Sequence, residues 1–250
     1  MVINISIGDR VFRDIEGIIF DKDGTLEDSG GYWAEIGVKR VQLIEERIPG
    51  ISPHLFKVFG FSQIKPNPLL ERFGLMAEGS CLENEIAAAA YIAETGRGWS
   101  ESRAIVRQAF LDADQSVKKT SRLFPDCLRV LKTCVDSGLR LGIVSADTTP
   151  NIGEFINTHE LSPYIKVAIG SDRGKIKPDQ ALFEEACQIL GVRPGRVLMV
   201  GDSETDIEMG KKAGAAGVIG IVGSDSPGRN LEGADIIIRG LQEIIQNLHT

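Results

Sequence analysis

Cysteine is scarce in this 250-residue sequence, and its four cysteines are far apart. Cys81, Cys127, Cys134 and Cys187 form no C-x-x-C pair, so their spacing fits neither a zinc-binding knuckle nor a dense disulfide framework. In a reducing compartment, isolated thiols of this kind usually behave as small apolar side chains. The sequence therefore predicts that the cysteines lie in the core.

Long apolar runs are missing as well. The longest, residues 213–223, is rich in glycine and falls short of the ~20 residues that cross a bilayer. Charged residues interrupt the first ten positions before a signal-peptide hydrophobic stretch could form. We therefore expect no membrane partner and a cytoplasmic location.

Positive charge is in deficit, because 28 Lys and Arg face 35 Asp and Glu and give a formal net charge of −7. A nucleic-acid surface needs clustered basic residues, so no nucleic-acid partner is expected. With 42% hydrophobic and 25% charged residues, the composition is that of an ordinary globular protein. The length fits one large domain or two modest ones, and it leaves the oligomeric state open.

Six short apolar runs are spaced along the chain. Runs that are apolar at nearly every position indicate strands buried on both faces of a parallel sheet. Beyond residue 120, helix-length amphipathic segments separate these runs, as in a βαβ array. The sequence therefore predicts an α/β protein with a doubly wound, Rossmann-like parallel sheet. The predicted strands are residues 15–20, 139–144, 165–169, 196–200, 217–222 and 235–238.

The stretch from residue 30 to residue 120 follows a different pattern, with helical periodicity and no apolar run typical of a buried strand. We therefore predict an all-helical domain at 30–120, inserted into an α/β core made of residues 1–29 and 121–250. The first dozen residues predict a small edge hairpin. The helix-like segments of the insertion are residues 33–47, 82–95 and 100–118.

Two carboxylates, Asp21 and Asp23, follow the first long apolar run in the sequence DKDGT. Side chains at that point lie at the carboxyl edge of the sheet, where open α/β proteins bind ligands, although an isolated D-x-D-G also occurs in ordinary acidic turns. Gly24 permits a sharp turn and leaves backbone N–H groups to face an anion. A calcium-binding EF-hand loop is excluded, because its sixth position would be Leu26 instead of glycine and its twelfth Tyr32 instead of glutamate.

A second acidic pair, Asp202 and Asp206, follows the predicted strand at 196–200. Alone, Asp202 could equally cap the next helix. Carboxylates gathered at one sheet edge with Asp21 and Asp23 would repel one another unless a cation neutralised them, and Mg²⁺ prefers oxygen ligands. The pattern therefore indicates a magnesium site.

Ser145 and Lys177 are candidates for phosphate binding. Ser145 ends a predicted strand just before a helix with an early proline, where its hydroxyl and the following N–H groups could hold an anion. Its alternative role is a plain helix N-cap or turn serine. Lys177 precedes Pro178 at another helix start, where it could offset phosphoryl charge or be an ordinary surface lysine.

The order of these segments resembles the four-motif signature of the haloacid dehalogenase superfamily. Asp-x-Asp-Gly-Thr, a serine after the next strand, Lys-Pro, and Gly-Asp-x-x-x-Asp occur in that order within residues 15–28 and 139–222. The insertion resembles the helical cap of the subgroup that includes phosphoglycolate phosphatase and β-phosphoglucomutase. Two departures stand out: Lys22 replaces a more usual apolar residue, and Ala146-Asp147 replaces the common asparagine after the serine.

The resemblance implies a Mg²⁺-dependent phosphatase, similar to phosphoglycolate phosphatase, that hydrolyses a small-molecule phosphate monoester through a phosphoaspartate. Asp21 would be the nucleophile and Asp23 the general acid and base, with Lys177 as a third catalytic group. The implied metal ligands are Asp21, the backbone carbonyl of Asp23, and Asp202, with Asp206 orienting the metal's water shell. The implied phosphate-binding groups are Gly24, Thr25, Ser145, the N–H of Ala146, and Lys177.

Other activities of the same fold are weighed against this one. Haloalkanoate dehalogenases resemble the chain in fold but lack the aspartate at the place of Asp23 and use no metal, so dehalogenation is disfavoured. A sugar phosphomutase of the β-phosphoglucomutase type keeps both aspartates and stays an alternative. A non-catalytic phosphate-binding regulator is a further alternative, although it would need neither a nucleophile nor an adjacent acid.

Two segments of the insertion, residues 59–68 and 74–80, are candidates for contact with the substrate, although ordinary helix connections would also explain them. Lys65 and Arg72 could meet a substrate carboxylate, as phosphoglycolate would require. By analogy with the family, the insertion is expected to open and close over the site and to exclude water from the phosphoaspartate.

Overall fold

The computed structural model describes residues 3–63, 68–71, 74–118, 122–172, 174–223 and 231–249. The chain divides into two compact units, of which one consists of Met1–Asp28 and Arg122–Thr250 and the other is Ser29–Ser121. The strands are β1 (Ile3–Ile7), β2 (Arg10–Ile15), β3 (Gly17–Phe20), β4 (Phe61–Gln63), β5 (Leu69–Leu70), β6 (Arg140–Val144), β7 (Ile165–Ile169), β8 (Val197–Gly201), β9 (Gly217–Ile221), β10 (Ile236–Ile238) and β11 (Leu248–His249). The α-helices are α1 (Gly30–Glu45), α2 (Ser52–Phe59), α3 (Leu75–Glu78), α4 (Cys81–Glu94), α5 (Trp99–Ser116), α6 (Cys127–Asp136), α7 (Thr149–Thr158), α8 (Gln180–Leu190) and α9 (Glu204–Lys212).

The first unit is built on a six-stranded sheet in the order β10-β9-β8-β3-β6-β7. Every neighbouring pair of strands in it is parallel. β3 lies between β8 and β6, so that Phe20 is in register with Val200 on one side and with Ile143 on the other. The six strands are those predicted from the apolar runs, and the predicted α/β fold with a parallel sheet is confirmed.

Both faces of this sheet are buried. Successive side chains of a strand point to opposite faces, so neighbouring residues of β3 pack in different hydrophobic clusters. Ile18 and Phe20 of β3 belong to one hydrophobic cluster, which also contains Phe155 of α7. Ile19 belongs to a second cluster, which contains Phe183 of α8. The strand that leads into the candidate site is therefore held by packing on both sides.

Three of the four cysteines lie in these two clusters, as predicted, and one does not. Cys127, Cys134 and Cys187 are buried, and burial raises the pKa of each thiol to about 12. A thiol with such a pKa stays protonated and unreactive at neutral pH. Cys81 is exposed at the first residue of α4, so the prediction of a buried side chain was wrong at this position.

A separate antiparallel sheet, in the order β11-β1-β2, belongs to the same unit. β1 and β2 form the hairpin predicted for the first dozen residues, with Ile5 opposite Phe12. Ile5 also pairs with Leu248 of β11. Local periodicity does not predict this third strand, because β11 has only two residues.

The second unit is mainly helical, and α1, α2, α4 and α5 contribute to one hydrophobic cluster. A capping box starts α4, in which the side chain of Ser80 accepts a hydrogen bond from the N–H of Glu83 (3.3 Å). The predicted borders of the insertion, residues 30 and 120, each differ by one residue from the borders of this unit. Among the helices that the structure describes, none combines the length and apolar character needed to cross a bilayer.

The prediction of an all-helical insertion omitted a short antiparallel ribbon of β4 and β5. These strands have three and two residues, too few for an alternating pattern to be recognised. The candidate segment 59–68 therefore contains the end of α2 and all of β4, and the segment 74–80 contains α3, so neither is only a loop. Lys65 and Arg72 lie outside the described residues.

Candidate active site

Three strand ends bring the predicted site residues to one edge of the parallel sheet. Asp21 follows β3, Ser145 follows β6, and Asp202 follows β8, with β3 lying between the other two strands. The N–H of Asp21 donates to the carbonyl oxygen of Val200 (2.8 Å), so the pairing of β3 with β8 continues into the site. The carboxyl edge of the sheet therefore carries these groups side by side.

A tight turn follows the end of β3. The carbonyl oxygen of Lys22 accepts hydrogen bonds from the N–H groups of Leu26 and Glu27, both at 2.9 Å, and of Thr25 at 3.3 Å. The N–H of Gly24 donates to the carbonyl oxygen of Glu27 (2.9 Å). The amides of Gly24 and Thr25 thus already have acceptors inside the turn, so the N–H groups that were predicted to face an anion do not include these two.

Glycine is required at position 24 for two reasons. The φ of Gly24 is 77°, in the left-handed region that strains other residues. A Cβ atom on Gly24 would lie 2.0 Å from Oδ2 of Asp202, far inside contact distance. The glycine therefore lets the turn after β3 approach the carboxylate that follows β8.

Three buried carboxylates converge beside this turn. Asp21, Asp202 and Asp206 each offer an oxygen, and these oxygens lie within 4.8 Å of one another. The three residues are 5%, 7% and 0% exposed. A donor set made only of oxygen suits a hard divalent cation. The sequence assigned Asp206 only a role in orienting water, whereas in the structure it belongs to this acidic triad.

Lys177 lies between two of the three carboxylates. Its Nζ is 2.5 Å from Oδ1 of Asp21 and 2.7 Å from Oδ1 of Asp206. The lysine side chain is only 5% exposed, which excludes the alternative of an ordinary surface lysine. Asp179 is the N-cap of α8, so Lys177 precedes the helix and is directed into the site.

The charges in this group are unevenly balanced. Burial is the largest influence on Asp21 and raises its pKa well above the ordinary value; Lys177 opposes the rise, and the carboxylates of Asp206 and Asp202 add to it. Burial would lower the pKa of Lys177, but Asp206 and Asp21 outweigh this effect and raise the pKa. One ammonium faces three buried carboxylates, and a divalent cation would balance the excess of negative charge.

A capping box holds Asp206 in place at the start of α9. Oγ of Ser203 accepts a hydrogen bond from the N–H of Asp206 (3.3 Å) and donates to its Oδ2 (2.6 Å). Oδ1 of the same carboxylate is the atom that meets Lys177. Ser203 is thus the N-cap of α9, and the alternative of Asp202 as the helix cap is excluded.

Two hydrogen bonds, one to Ile169 and one from Asp147, hold Ser145 at the sheet edge. It is 1% exposed, and its N–H donates to the carbonyl oxygen of Ile169 at the end of β7 (3.0 Å). Its Oγ accepts a hydrogen bond from the N–H of Asp147 (3.2 Å), while Ala146 between them is half-buried. Thr148 is the N-cap of α7, so the alternative of Ser145 as a helix cap is excluded.

Lys22, one of the two departures from the family motifs, is completely buried next to Asp21 in the sequence. Three carboxylate oxygens surround its Nζ: Oδ2 of Asp23 at 2.6 Å, Oε2 of Glu27 at 2.9 Å and Oδ2 of Asp147 at 3.3 Å. Burial would lower the pKa of Lys22, but the three carboxylates outweigh it and raise the pKa. Sequence reasoning missed Glu27, because a glutamate in a turn gives no local signal of burial.

The sequence-family model of haloacid dehalogenase-like hydrolases matches residues 15–214 of this chain. The matched range is most of the sequence and contains every site residue described above. The chain belongs to the haloacid dehalogenase-like hydrolase family. The family and the hydrolase class predicted from the four motifs are therefore confirmed.

Relatives in this family are similar along almost the whole chain. The phosphoglycolate phosphatase of Escherichia coli (strain K12) is 26% identical over 243 residues, which cover 95% of this chain and 94% of that protein. The predicted class of enzyme, a hydrolase of the phosphatase type, is therefore confirmed.

Solved structures of haloacid dehalogenase-like proteins share the fold. A predicted phosphoglycolate phosphatase from Haemophilus somnus 129PT has a TM-score of 0.69 at 18% identity, over 93% of this chain and 97% of that one. A protein from Thermotoga maritima that is predicted to be a beta-phosphoglucomutase has a TM-score of 0.59 at 18% identity, over 92% of this chain and 97% of that one. These two neighbours differ in the reaction ascribed to them and agree on the fold.

Proposed function

We propose that this hydrolase removes the phosphoryl group from a small-molecule phosphate monoester, using Mg²⁺ and a phosphoaspartate formed on Asp21. The observation that carries the proposal is the grouping at the end of β3, where the oxygens of Asp21, Asp202 and Asp206 lie within 4.8 Å of one another and Lys177 contacts Asp21. Phosphoryl transfer needs a nucleophile, a divalent cation and a fixed positive charge near the phosphate. The carboxylate of Asp21, the excess of buried negative charge that would hold the cation, and the ammonium group of Lys177 meet these needs.

The first step transfers the phosphoryl group to the protein. A carboxylate oxygen of Asp21 attacks phosphorus in line with the ester oxygen, and the new O–P bond forms as the bond to the leaving oxygen breaks. Asp23 gives its proton to the departing alkoxide, which leaves as the alcohol. The side chain of Asp21 is only 8% exposed, which shields the resulting acyl phosphate from bulk water.

The second step releases inorganic phosphate. Asp23, now a carboxylate, takes a proton from a water molecule, whose oxygen attacks the phosphorus atom. The O–P bond to Asp21 breaks, and the nucleophile and the protonated acid are restored. The side chain of Asp23 is 20% exposed, in keeping with a group that must exchange protons with the leaving group and with water in turn.

Asp21, Asp202 and Asp206 would hold the divalent ion, together with the backbone carbonyl of Asp23 that the family resemblance adds. When bound, Mg²⁺ masks the phosphate charge that would otherwise repel an anionic nucleophile. Lys177 keeps Oδ1 of Asp21 in place at 2.5 Å. Asp21 and Asp206 would thus bind both the metal ion and the ammonium group of Lys177.

The non-reacting phosphate oxygens would be held by the hydroxyl of Ser145, the N–H of Ala146 and the ammonium group of Lys177. Oγ of Ser145 accepts its hydrogen bond from Asp147, so the hydroxyl proton of the serine can be donated to a phosphate oxygen. Donors placed in this way stabilise the charge that spreads over these oxygens in the transition state.

We propose phosphoglycolate as the first substrate to test, because the relatives matched over nearly the whole chain carry that name. We also propose that Ser29–Ser121 is a cap domain that selects the substrate, since the groups placed at the sheet edge recognise only phosphate and metal.

The test measures inorganic phosphate released from p-nitrophenyl phosphate and from phosphoglycolate, with Mg²⁺ and with EDTA. We expect turnover that depends on Mg²⁺ and falls by roughly 10³-fold or more in Asp21→Asn. Asp9→Asn is the matched control, because Asp9 is an exposed aspartate of the same unit, and it should keep wild-type turnover. Absence of turnover would favour the alternative of a non-catalytic phosphate-binding regulator. Transfer of the phosphoryl group between sugar phosphates, without release of inorganic phosphate, would favour the phosphomutase. Equal turnover in Asp21→Asn would place catalysis elsewhere.

A further inference from the structure

A buried ammonium group beside the site takes no part in the two steps above. Lys22 is 0% exposed, and three carboxylates surround its Nζ, those of Asp23, Glu27 and Asp147. The ammonium group donates hydrogen bonds to Glu27 and Asp23, and its contact with Oδ2 of Asp147 at 3.3 Å is an ion pair. A buried charge is tolerated only when it is paired in this way, and the pairing fixes the lysine side chain in one position.

Two of the three carboxylates hold Lys22 from the buried side. The side chains of Glu27 and Asp147 are only 1% and 6% exposed. Oδ1 of Asp147 accepts hydrogen bonds from the N–H of Thr148 and from Nδ2 of Asn151, both at 2.7 Å, so this carboxylate is anchored independently of the lysine. The ammonium group therefore has a rigid support on one side.

The third carboxylate, Asp23, differs from the other two. Its side chain is 20% exposed, and it makes the shortest of the three contacts, 2.6 Å from Nζ to Oδ2. A charge-assisted hydrogen bond to one oxygen restricts rotation of the carboxylate and thereby sets the position of the other oxygen, Oδ1. The exposed member of the cluster is also the residue proposed to exchange a proton with the substrate.

We propose that Lys22 is a positioning residue that orients Asp23, so that Oδ1 of this carboxyl group delivers the proton to the leaving oxygen. The proposal rests on the proposed function, because only a hydrolysis that uses Asp23 as its acid depends on this orientation. In this role Lys22 acts through Asp23 and not on the substrate itself. An apolar side chain, which is more usual at this place in the family, could not hold Asp23 in this way.

Two aryl esters of nearly the same shape separate proton donation from all other effects. The leaving group of p-nitrophenyl phosphate departs as a stable anion, whereas that of phenyl phosphate is far more basic and depends on a proton. The quantity to compare is kcat/KM, because it covers only the steps up to departure of the leaving group. We expect Lys22→Met to lower kcat/KM for phenyl phosphate about tenfold more than for p-nitrophenyl phosphate.

A structural role for Lys22 would lower kcat/KM for both esters by the same factor, and that result would overturn the proposal. Because Lys22→Met leaves buried carboxylates without their cation, the double variant Lys22→Met/Glu27→Gln is measured as well, with Glu27→Gln alone as its control. The double variant should show the same selective loss, and Glu27→Gln should show none. Equal losses for both esters in a folded double variant would contradict the orienting role.

The Asp23→Asn background tests whether Lys22 acts through this aspartate. Adding Lys22→Met to Asp23→Asn should cause no further selective loss on phenyl phosphate, and a further loss would refute the proposal. Failure of the proposed function is recognised separately, because it would appear as wild-type protein without Mg²⁺-dependent turnover of p-nitrophenyl phosphate. Normal turnover with an unchanged ratio of the two esters would overturn only the role of Lys22.

Discussion

Nζ of Lys22 lies 3.3 Å from Oδ2 of Asp147, and this contact joins the turn after β3 to the loop after β6. Both residues are departures from the common motifs of the family. If only one of the two residues were present, its buried charge would lose one of its partners, which would destabilise the folded protein. The two departures therefore form one linked change, in which a cation beside Asp21 is matched by an additional anion from the neighbouring loop.

Gly24→Ala should disrupt the site beyond its effect on the backbone. The new Cβ would lie 2.0 Å from Oδ2 of Asp202 and would displace that carboxylate. Gly174→Ala is a matched control, because Gly174 has a similar φ of 78° with nothing within 4 Å of its Cβ position. Strain should cost each variant about 1–2 kcal/mol in the free energy of unfolding. Only Gly24→Ala should lose Mg²⁺-dependent turnover, by roughly 10²-fold; equal turnover in the two variants would contradict the close approach.

Magnesium should stabilise the protein through the acidic triad. An ion present at about 100 times its Kd adds about 2.7 kcal/mol to the free energy of unfolding, which corresponds to several degrees in Tm. Asp202→Asn should lose most of this increase, whereas Asp9→Asn, at an exposed site, should keep it. Thermal unfolding with Mg²⁺ and with EDTA measures the effect without any substrate. An undiminished increase in Asp202→Asn would place the ion elsewhere.

The raised pKa of Asp21 should make stability depend on pH when metal is removed. Burial, aided by the carboxylates of Asp206 and Asp202, raises the pKa above that of the unfolded chain. The contribution of Asp21 is therefore fully present below the unfolded pKa and is lost as pH rises through the folded pKa.

Asp21→Asn lacks this titration and provides the comparison. In EDTA, it should be more stable than wild type by about 1 kcal/mol or more near pH 8, and the difference should shrink towards pH 4. Thermal or urea unfolding of both proteins over this range measures the difference. A difference that is independent of pH would show that Asp21 is not destabilised by burial.

Lys177→Met should be strongly destabilising in the absence of metal. Removing the ammonium group leaves Asp21 and Asp206 buried without their cation, and breaking a buried pair in this way costs roughly 3–5 kcal/mol. Lys175→Met is the control, because the Lys175 side chain is 43% exposed and its Nζ lies 4.0 Å from Glu185. It should change the free energy of unfolding by less than about 1 kcal/mol in urea denaturation. Similar losses in both variants would argue against a buried role for Lys177.

The central sheet was predictable because its strands carry a strong and local signal. The runs around β3 and β8 are apolar at almost every position, which is what burial on both faces requires. The end of each strand then fixed the positions of Asp21 and Asp202 at the same sheet edge. The order of the strands was not predicted, because apolar runs do not show which strands are neighbours in the sheet.

The finer arrangement of the site was not predictable from local patterns. Ser203 and Asp202 are both good N-cap residues, and only coordinates show that the serine caps α9 and so directs Asp206 to Lys177. Burial of Glu27 depends on a lysine five residues earlier that is itself buried. Such pairing is a property of the folded turn, and neither residue alone predicts it.

The position of β3 in the sheet has a consequence for how the chain is made. β3 pairs with β6 and β8, yet Ser29–Ser121 comes between β3 and β6 in the sequence, and β8 ends only at Gly201. During synthesis from the N-terminus, the strand that bears Asp21 keeps an unpaired edge until most of the polypeptide has left the ribosome. Contacts between such distant segments form slowly, and an apolar strand with an open edge is a natural ligand for a chaperone. The end of the sheet that carries Asp21 and Asp202 is therefore among the last parts of the fold to be completed during synthesis.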